Sequence, residues 1–161
     1  MESTKKKINN NYSNKTKYLS FYLNNEIYAI KIIDICEVNR LANIFKTKTL
    51  KDNIIGMINF HGKTTPVLNL KKILKMNNCD KLQSKMWFAY KTNDNFICFA
   101  FDKLSKIVEV EDSIIDEVSN IESIHEKQNI KCFIRLNNQL IPVLDLANIY
   151  NTNLKYIKNN E

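Results

Sequence analysis

Two stretches of the chain match one another without a gap. Residues 56–74 read GMINFHGKTTPVLNLKKIL and residues 132–150 read CFIRLNNQLIPVLDLANIY. Ile58 falls on Ile134, Pro66-Val67-Leu68 on Pro142-Val143-Leu144, Leu70 on Leu146 and Ile73 on Ile149, with Asn69 on Asp145. A weaker echo precedes it. NNEIYAIKIID at 24–34 resembles TNDNFICFAFD at 92–102, each placing a polar turn before an aromatic-led run that ends in Asp. Self-similarity at a fixed spacing means one structural unit used more than once. A chain of 161 residues holds one ordinary domain or two very small ones. The expected plan is therefore a pair of similar units, about 18–75 and 86–150, meeting near KMNNCDKLQSK at 75–85.

Each unit reads as β. Leu19, Phe21 and Leu23 alternate with Tyr18, Ser20 and Tyr22, the period of two that a strand demands. Asn24-Asn25 and Asn93-Asp94 are turn formers between apolar runs, as in hairpins. The run Phe96–Phe101 is apolar on both faces and so predicts a central strand covered on both sides. IIGMINF and TTPVLNL flank the polar turn HGK, a further hairpin, and Leu70–Leu74 and Leu146–Tyr150 each predict a brief closing turn of helix.

Both glycines and one of the two prolines lie in the first repeat segment. Gly62 falls at the hairpin turn, where a positive φ costs glycine little. Gly56 marks a place where a side chain would not fit against a neighbouring backbone. Pro66 and Pro142 lack a ladder donor and belong at strand starts, bulges or edges. Trp87 is expected to anchor a core.

Composition argues mostly by exclusion. The four cysteines, Cys36, Cys79, Cys98 and Cys132, form no CxxC pair, and two isolated histidines complete no metal-ligand set. There is no P-loop, no GxSxG, no HExxH and no dinucleotide fingerprint, so no catalytic residue and no cofactor or metal is expected. The opening residues contain no apolar signal-peptide core, and no run is long enough to span a bilayer, so the chain is expected in the cytoplasm without membrane insertion. Residues 1–16 and 151–161 are expected to be tails, the first of them basic and disordered. Residues 1–75 carry 14 basic and 5 acidic side chains, residues 76–161 carry 10 and 12. A basic first half beside a slightly acidic second half suits a polar assembly surface or an acidic partner. The competing reading is a basic small-barrel nucleic-acid-binding protein, in which Tyr and Phe side chains stack on bases. The alternation of those aromatics and the presence of only two Arg argue against it.

These residues resemble the CheW family of bacterial chemotaxis adaptors. The family pattern is a strand, a polar turn, an aromatic strand and V-x-E-[IV], then G-x-[IV]-N-[LF]-R-G and P-V-x-[DN]-L. Here the pieces read Ile35-Cys36-Glu37-Val38, Gly56-Met57-Ile58-Asn59-Phe60-His61-Gly62 and Pro66-Val67-Leu68-Asn69-Leu70. The likeness covers residues 18 to about 150. It implies a mainly β fold of two small SH3-like, five-stranded barrels around a shared hydrophobic core, with short helices. It also implies a non-enzymatic scaffold that couples the cytoplasmic hairpin tips of chemoreceptors to the regulatory domain of the histidine kinase CheA. Other CheW-like domains in array rings would be further partners, and recruitment would be to membrane-associated arrays. Carried over onto this sequence, Ile35, Glu37, Val38, Gly56 and His61 are the expected receptor-binding residues. In the second unit Val108, Val110, Leu140 and Ile141 are the candidate kinase-binding ones, each with a core role as the alternative reading. His61 stands where the family usually has Arg, exchanging a permanent charge and a two-pronged donor for an imidazole that is only partly charged near neutral pH.

Overall fold

The first half of the chain runs β1 (Lys15–Leu23), β2 (Glu26–Lys31), a 3-10 turn (Ile32–Asp34), β3 (Ile35–Arg40), β4 (Ile54–Phe60), β5 (Lys63–Asn69) and α1 (Leu70–Ile73). The second half runs β6 (Met86–Lys91), β7 (Phe96–Phe101), β8 (Lys103–Glu111), a 3-10 turn (Asp112–Ile114), β9 (Ile115–Glu117), β10 (Ile130–Leu136), β11 (Gln139–Leu144) and α2 (Leu146–Leu154). With the single addition of β8, the second half repeats the element order of the first. This computed structural model describes residues 14–46, 48, 51–79, 84–117 and 129–154.

The repeat extends to details. Asn69 caps α1 by accepting the Lys72 backbone N–H on its side-chain oxygen, and Asp145 does the same for Asn148 at the head of α2. The exchange of Asn for Asp in the repeat therefore keeps one function. The backbone N–H groups of the same two residues donate to the carbonyls of Asn53 and Asn129, again equivalent positions. A bulge falls between Ile54 and Gly56 in β4 and between Ile130 and Cys132 in β10.

The sheets do not follow the halves. One sheet has the order β8-β1-β2-β11-β10-β9, the other β3-β6-β7-β5-β4. The leading hairpin of each half, β1-β2 and β6-β7, has crossed into the sheet built by the other half's remaining strands. The parallel contacts that result, Val143 beside Ala29 and Val67 beside Cys98, occupy equivalent places in the two sheets.

Three apolar clusters fill this arrangement. Tyr18, Ala29, Val110, Cys132, Ile134, Ile141 and Val143 form the interior of the six-stranded sheet. Val110 on edge strand β8 and Ile115 on edge strand β9 share that cluster, so the sheet curls upon itself in SH3-like fashion. Ile58, Phe60, Val67, Trp87, Ala89, Cys98 and Ala100 fill the five-stranded sheet, with Trp87 in edge-on contact with Phe60 at 5.7 Å. Between the sheets lies the largest cluster, in which Phe21, Phe88, Phe99 and Phe101 meet the helices through Leu70, Ile73, Leu146 and Ile149. The architecture is thus the mainly β, twin SH3-like fold with a shared core, with six and five strands rather than five each. Among the described residues neither sheet is closed by a hydrogen-bonded seam.

Some local expectations change. Alternation in β1 predicts one wet face, yet Tyr18, Leu19, Ser20 and Phe21 are all buried, because one face lines the six-stranded sheet's own core and the other the shared core. Ser20 in that run is satisfied: its hydroxyl donates to the Lys106 carbonyl at 2.7 Å and accepts the Lys106 N–H at 3.1 Å, whereas the buried Tyr18 hydroxyl finds no hydrogen-bond partner among the described residues. Phe96–Phe101 is central and buried from Ile97 onward, as expected. Pro66 and Pro142 lie within strands, one position before the parallel neighbour joins. At that point each strand is paired on one side only, so the missing N–H leaves no gap in the ladder. β1 starts at Lys15 rather than 18, pairing Lys15 with Glu111 and Lys17 with Glu109, so two residues of the expected tail are strand. Residues 151–154 continue α2 and bury Leu154. Residues 1–13 and 155–161 of the two expected tails, and 80–83 of the 75–85 boundary, lie outside the described residues.

With two glycines in the chain, Asn carries most of the left-handed turns. Asn24, Asn43, Asn78, Asn137 and Asn138 all have positive φ, a conformation that Asn tolerates better than other side chains. Gly62, at φ +78°, follows His61 at φ +50° in the β4-β5 turn.

Candidate functional site

β3 is an edge strand of the five-stranded sheet, and β4 is the opposite edge. Glu37 sits on β3 just past a bulge between Ile35 and Glu37. His61 sits in the turn that leaves β4. The curl of the sheet brings the two together, with His61 Nε2 3.1 Å from Glu37 Oε2. One hydrogen bond therefore spans the open seam of this barrel. The imidazole is 67% exposed and the carboxylate 37%. The ring stands edge-on to Phe60 at 4.3 Å, and the turn beneath is held by the Gly62 N–H donating to Asn59 Oδ1 at 2.9 Å. On the other side, the Asn39 amide approaches Glu37 Oε1 at 3.4 Å.

The remaining expected receptor-binding residues are less available. Ile35 and Val38 are half-buried and pack against the shared core. Gly56 is buried. A Cβ there would collide with the Ile44 side chain and come within 2.9 Å of the Phe45 carbonyl. That carbonyl cannot move away, because Phe45 and Met57 exchange both backbone hydrogen bonds, at 2.8 and 3.0 Å. In the second half the equivalent position accepts Cys132. The glycine is thus dictated by the 44–45 segment laid across β4, and its route to the surface is through that segment. Gly56→Ala is expected to cost about 1–3 kcal/mol, read as a lower midpoint in denaturant unfolding.

The expected kinase-binding set divides in the same way. Val110 and Ile141 are 2% and 4% exposed and belong to the core of the six-stranded sheet, so they offer no surface, and this corrects the expectation for both. Strand alternation turns them inward. Val108 is half-buried in the same cluster, whereas Leu140 on β11 is exposed. Leu140 lines a groove of about 850 Å³ together with Ile27, Tyr28, Met76, Phe133 and Pro142.

Three exposed apolar residues carry no signal in the sequence: Ile33, Phe45 and Ile107. Ile33 is the most exposed large hydrophobic among the described residues, at 87%, and Ile107 on β8 is 62% exposed. Ile33 lies in the 3-10 turn between β2 and β3, which packs against β1, and Ile107 pairs with Leu19 of β1. The run NNEIYAIKIID reads as strand up to Asp34, so the turn at Ile32–Asp34 that lifts Ile33 into solvent has no periodic signal.

Three buried groups behind the site are not poised as nucleophiles, whereas Cys36 on β3 is an exposed free thiol. Burial, and after it the charge of Glu37, pushes the Cys98 thiol up to about 12. Burial likewise raises Cys132 and moves the Tyr18 hydroxyl up to about 12. Groups held neutral at ordinary pH are poor attackers. Among the described residues no three of His, Cys, Asp and Glu gather to hold a metal, and no helix is long and apolar enough to cross a membrane. The aromatic run that a base-stacking platform would need is inside, with Phe99 and Phe101 both fully buried. An exposed carboxylate, an imidazole and isolated apolar side chains on a β edge are the means of a protein-docking surface.

Known proteins share this architecture. The family model described as the CheW-like domain matches residues 17–153. A curated relative from Helicobacter pylori (strain ATCC 700392 / 26695), described as chemotaxis protein CheW, is 21% identical over 134 residues, covering 83% of this chain and 80% of that protein. Another of the same description from Thermotoga maritima is 25% identical over 131 residues, covering 81% and 85%. The crystal structure of the scaffolding protein TtCheW from Thermoanaerobacter tengcongensis superposes with a TM-score of 0.76 at 21% identity, covering 87% of this chain and 95% of that one.

Proposed function

We propose that this chain, which belongs to the family of CheW-like domains, is a chemotaxis adaptor that couples the cytoplasmic hairpin tip of a chemoreceptor to the regulatory domain of the histidine kinase CheA. The observation that carries the reading is Glu37: a carboxylate presented on free edge strand β3, with the bare side chain of Ile33 four residues before it. A helical receptor hairpin would set apolar residues against Ile33 and the half-buried Ile35 and Val38. Glu37 would pair with a polar or basic group at the rim. Leu140 is the most solvent-exposed of the four candidate kinase-binding residues, and the kinase's own barrel would pack there. Each contact is small, and strength would come from repetition across an array. Work of this kind has no transition state to stabilise, which fits a family of scaffolds. Recruitment to the membrane would then be through the receptor.

Capture on an immobilised receptor-tip fragment is the direct test. Glu37→Lys reverses a charge that is already partly in solvent, so the circular dichroism spectrum and melting temperature are expected to stay close to wild type while capture of the receptor fragment is lost. Undiminished capture by a folded Glu37→Lys protein would remove Glu37 from the docking surface. Leu140→Asp is expected to weaken capture of the kinase regulatory domain and to spare the receptor.

A further inference from the structure

We propose that β8 is a self-pairing edge, through which two copies of this chain join their six-stranded sheets antiparallel about Ile107. The pairing goes beyond the adaptor reading and does not rest on it. β8 (Lys103–Glu111) ends the six-stranded sheet, with β1 on one side and no described strand on the other. The curl brings Val110 and Ile115 into one cluster, yet no hydrogen-bonded seam joins β8 to β9 among the described residues. An open edge presents a row of backbone N–H and C=O groups that a further strand can satisfy. β8 is nine residues long, against six and seven for the edges β3 and β4 and three for β9.

The sequence of the strand, KLSKIVEVE, selects the partner. Ile107 is its middle residue and is 62% exposed. Lys103 and Lys106 precede it, Glu109 and Glu111 follow it, and all four are exposed. An antiparallel copy turned about Ile107 lays the basic end of each strand along the acidic end of the other. It also brings the two isoleucines together at the two-fold axis. That is the self-complementarity an isologous contact requires. Opposite charges facing across strands stabilise a pair and like charges destabilise it. A parallel copy would set lysine beside lysine and carboxylate beside carboxylate, so the pattern rejects it. On their β1 side Glu109 and Glu111 stand opposite Lys17 and Lys15, so a second β8 would continue a ladder of alternating charge. None of the four β8 charges forms an ion pair among the described residues.

The strand also carries edge defences. Between the Leu19–Ile107 and Phe21–Leu104 pairs, Ser105 and Lys106 stand against Ser20 alone, and the Ser20 hydroxyl holds both backbone groups of Lys106. A bulge and edge lysines ordinarily turn other strands away. Here the bulge shortens the ladder, which makes the contact weak and reversible. The lysines penalise a neutral or basic strand, and another β8 answers them with carboxylates. Two joined copies would carry two β3 strands and two Leu140 side chains, and bivalence would strengthen contacts that are individually small. That consequence alone rests on the adaptor reading.

Sedimentation velocity of the full chain over a wide range of concentration is the test. Wild type is expected to move from one chain toward two as its concentration rises. The double variant Lys103→Glu, Lys106→Glu makes β8 acidic throughout, and Glu109→Lys, Glu111→Lys makes it basic throughout. Each alone is expected to stay single, and an equal mixture of the two is expected to pair again. Ile107→Asp sets two carboxylates at the axis and is expected to weaken pairing several-fold, with an unchanged circular dichroism spectrum because the position is mostly in solvent. A wild-type chain that stays single at every concentration overturns the proposal. Variants that pair as wild type does also overturn it, since the interface then lies elsewhere, and so does a mixture of folded charge variants that stays single. Where a charge variant does not fold, Ile107→Asp decides alone, and undiminished pairing in it overturns the proposal. Every one of these failures leaves the adaptor reading standing, because β3 belongs to the other sheet.

Discussion

Phe21→Ala is expected to destabilise the protein by about 3–5 kcal/mol, the range for emptying a large aromatic site in a core. Phe21 is fully buried, and its ring lies 6.4 Å from Tyr28, 5.7 Å from Phe88 and 5.2 Å from Phe101. Tyr28 stands on its own hairpin partner β2. Phe88 and Phe101 stand on β6 and β7 of the other sheet. Truncation therefore removes packing between the two sheets as well as within one. The cavity has little chance to collapse, since strands held by their own ladders surround it. A second outcome follows from the strand exchange. Each sheet takes a hairpin from the other half of the chain: the five-stranded sheet is the consecutive run β3 to β7, whereas the six-stranded one joins β1 and β2 to β8–β11 from the far end. Calorimetry of both wild type and Phe21→Ala is expected to give one cooperative transition, lowered by roughly 10 °C in the variant. Two resolved transitions would show that the barrels unfold separately and that the shared core couples them weakly.

The second large effect concerns a charge inside the protein. Lys71 is 2% exposed, and its Nζ lies 2.7 Å from Asp102 Oδ2. Among the described residues Nζ has no hydrogen-bond partner, so this carboxylate is the one described group that answers its charge. Asp102 is better supplied. It also accepts the Asn24 backbone N–H at 2.7 Å and the Ser84 hydroxyl at 3.2 Å. The pair thus ties α1 and the end of β7 to the β1-β2 turn, across the boundary between the sheets. Removing one partner of a buried pair strands the other, at about 3–5 kcal/mol. The asymmetry of partners makes the two single variants unequal. Asp102→Ala leaves a buried ammonium with nothing and is expected to suffer the full loss. Lys71→Met leaves a carboxylate with two donors and some solvent, and should lose less than half as much. Urea unfolding of both variants and of the double variant measures this. Equal losses, or a mild Asp102→Ala, would mean that Lys71 reaches water on its own.

Neither of these sites has a mark in the sequence that would single it out. Lys71 is one of 22 lysines, and its repeat equivalent is Ala147, an exposed position. Nothing in LKKIL says that the first lysine is buried and the second half-buried. The difference comes from which face of a one-turn helix meets Asp102, a residue far along the chain. The same limit applies at the proposed docking surface. Glu37 and His61 could each be picked out by resemblance, but their contact could not, because it joins opposite edges of a sheet whose curl is a property of the whole barrel. Val110 and Ile141 carry two readings in the sequence, core side chain or kinase contact, and strand alternation decides for the core. Ile33 was passed over because an apolar run hides the 3-10 turn that exposes it.

Periodicity, turn residues and the internal repeat were sufficient to read β structure, hairpins at Asn24-Asn25 and Asn93-Asp94, the glycine requirement at 56 and 62, and two similar halves. These are local matters: side-chain alternation, backbone conformation and the room beside one Cα act within a few residues. The exchange of leading hairpins, the doubly buried face of β1, the Lys71–Asp102 pair and the Glu37–His61 contact were settled by long-range packing. A strand's hydrogen-bonding edge can be satisfied equally by a near or a distant partner. Burying all three apolar clusters at once picks the distant one.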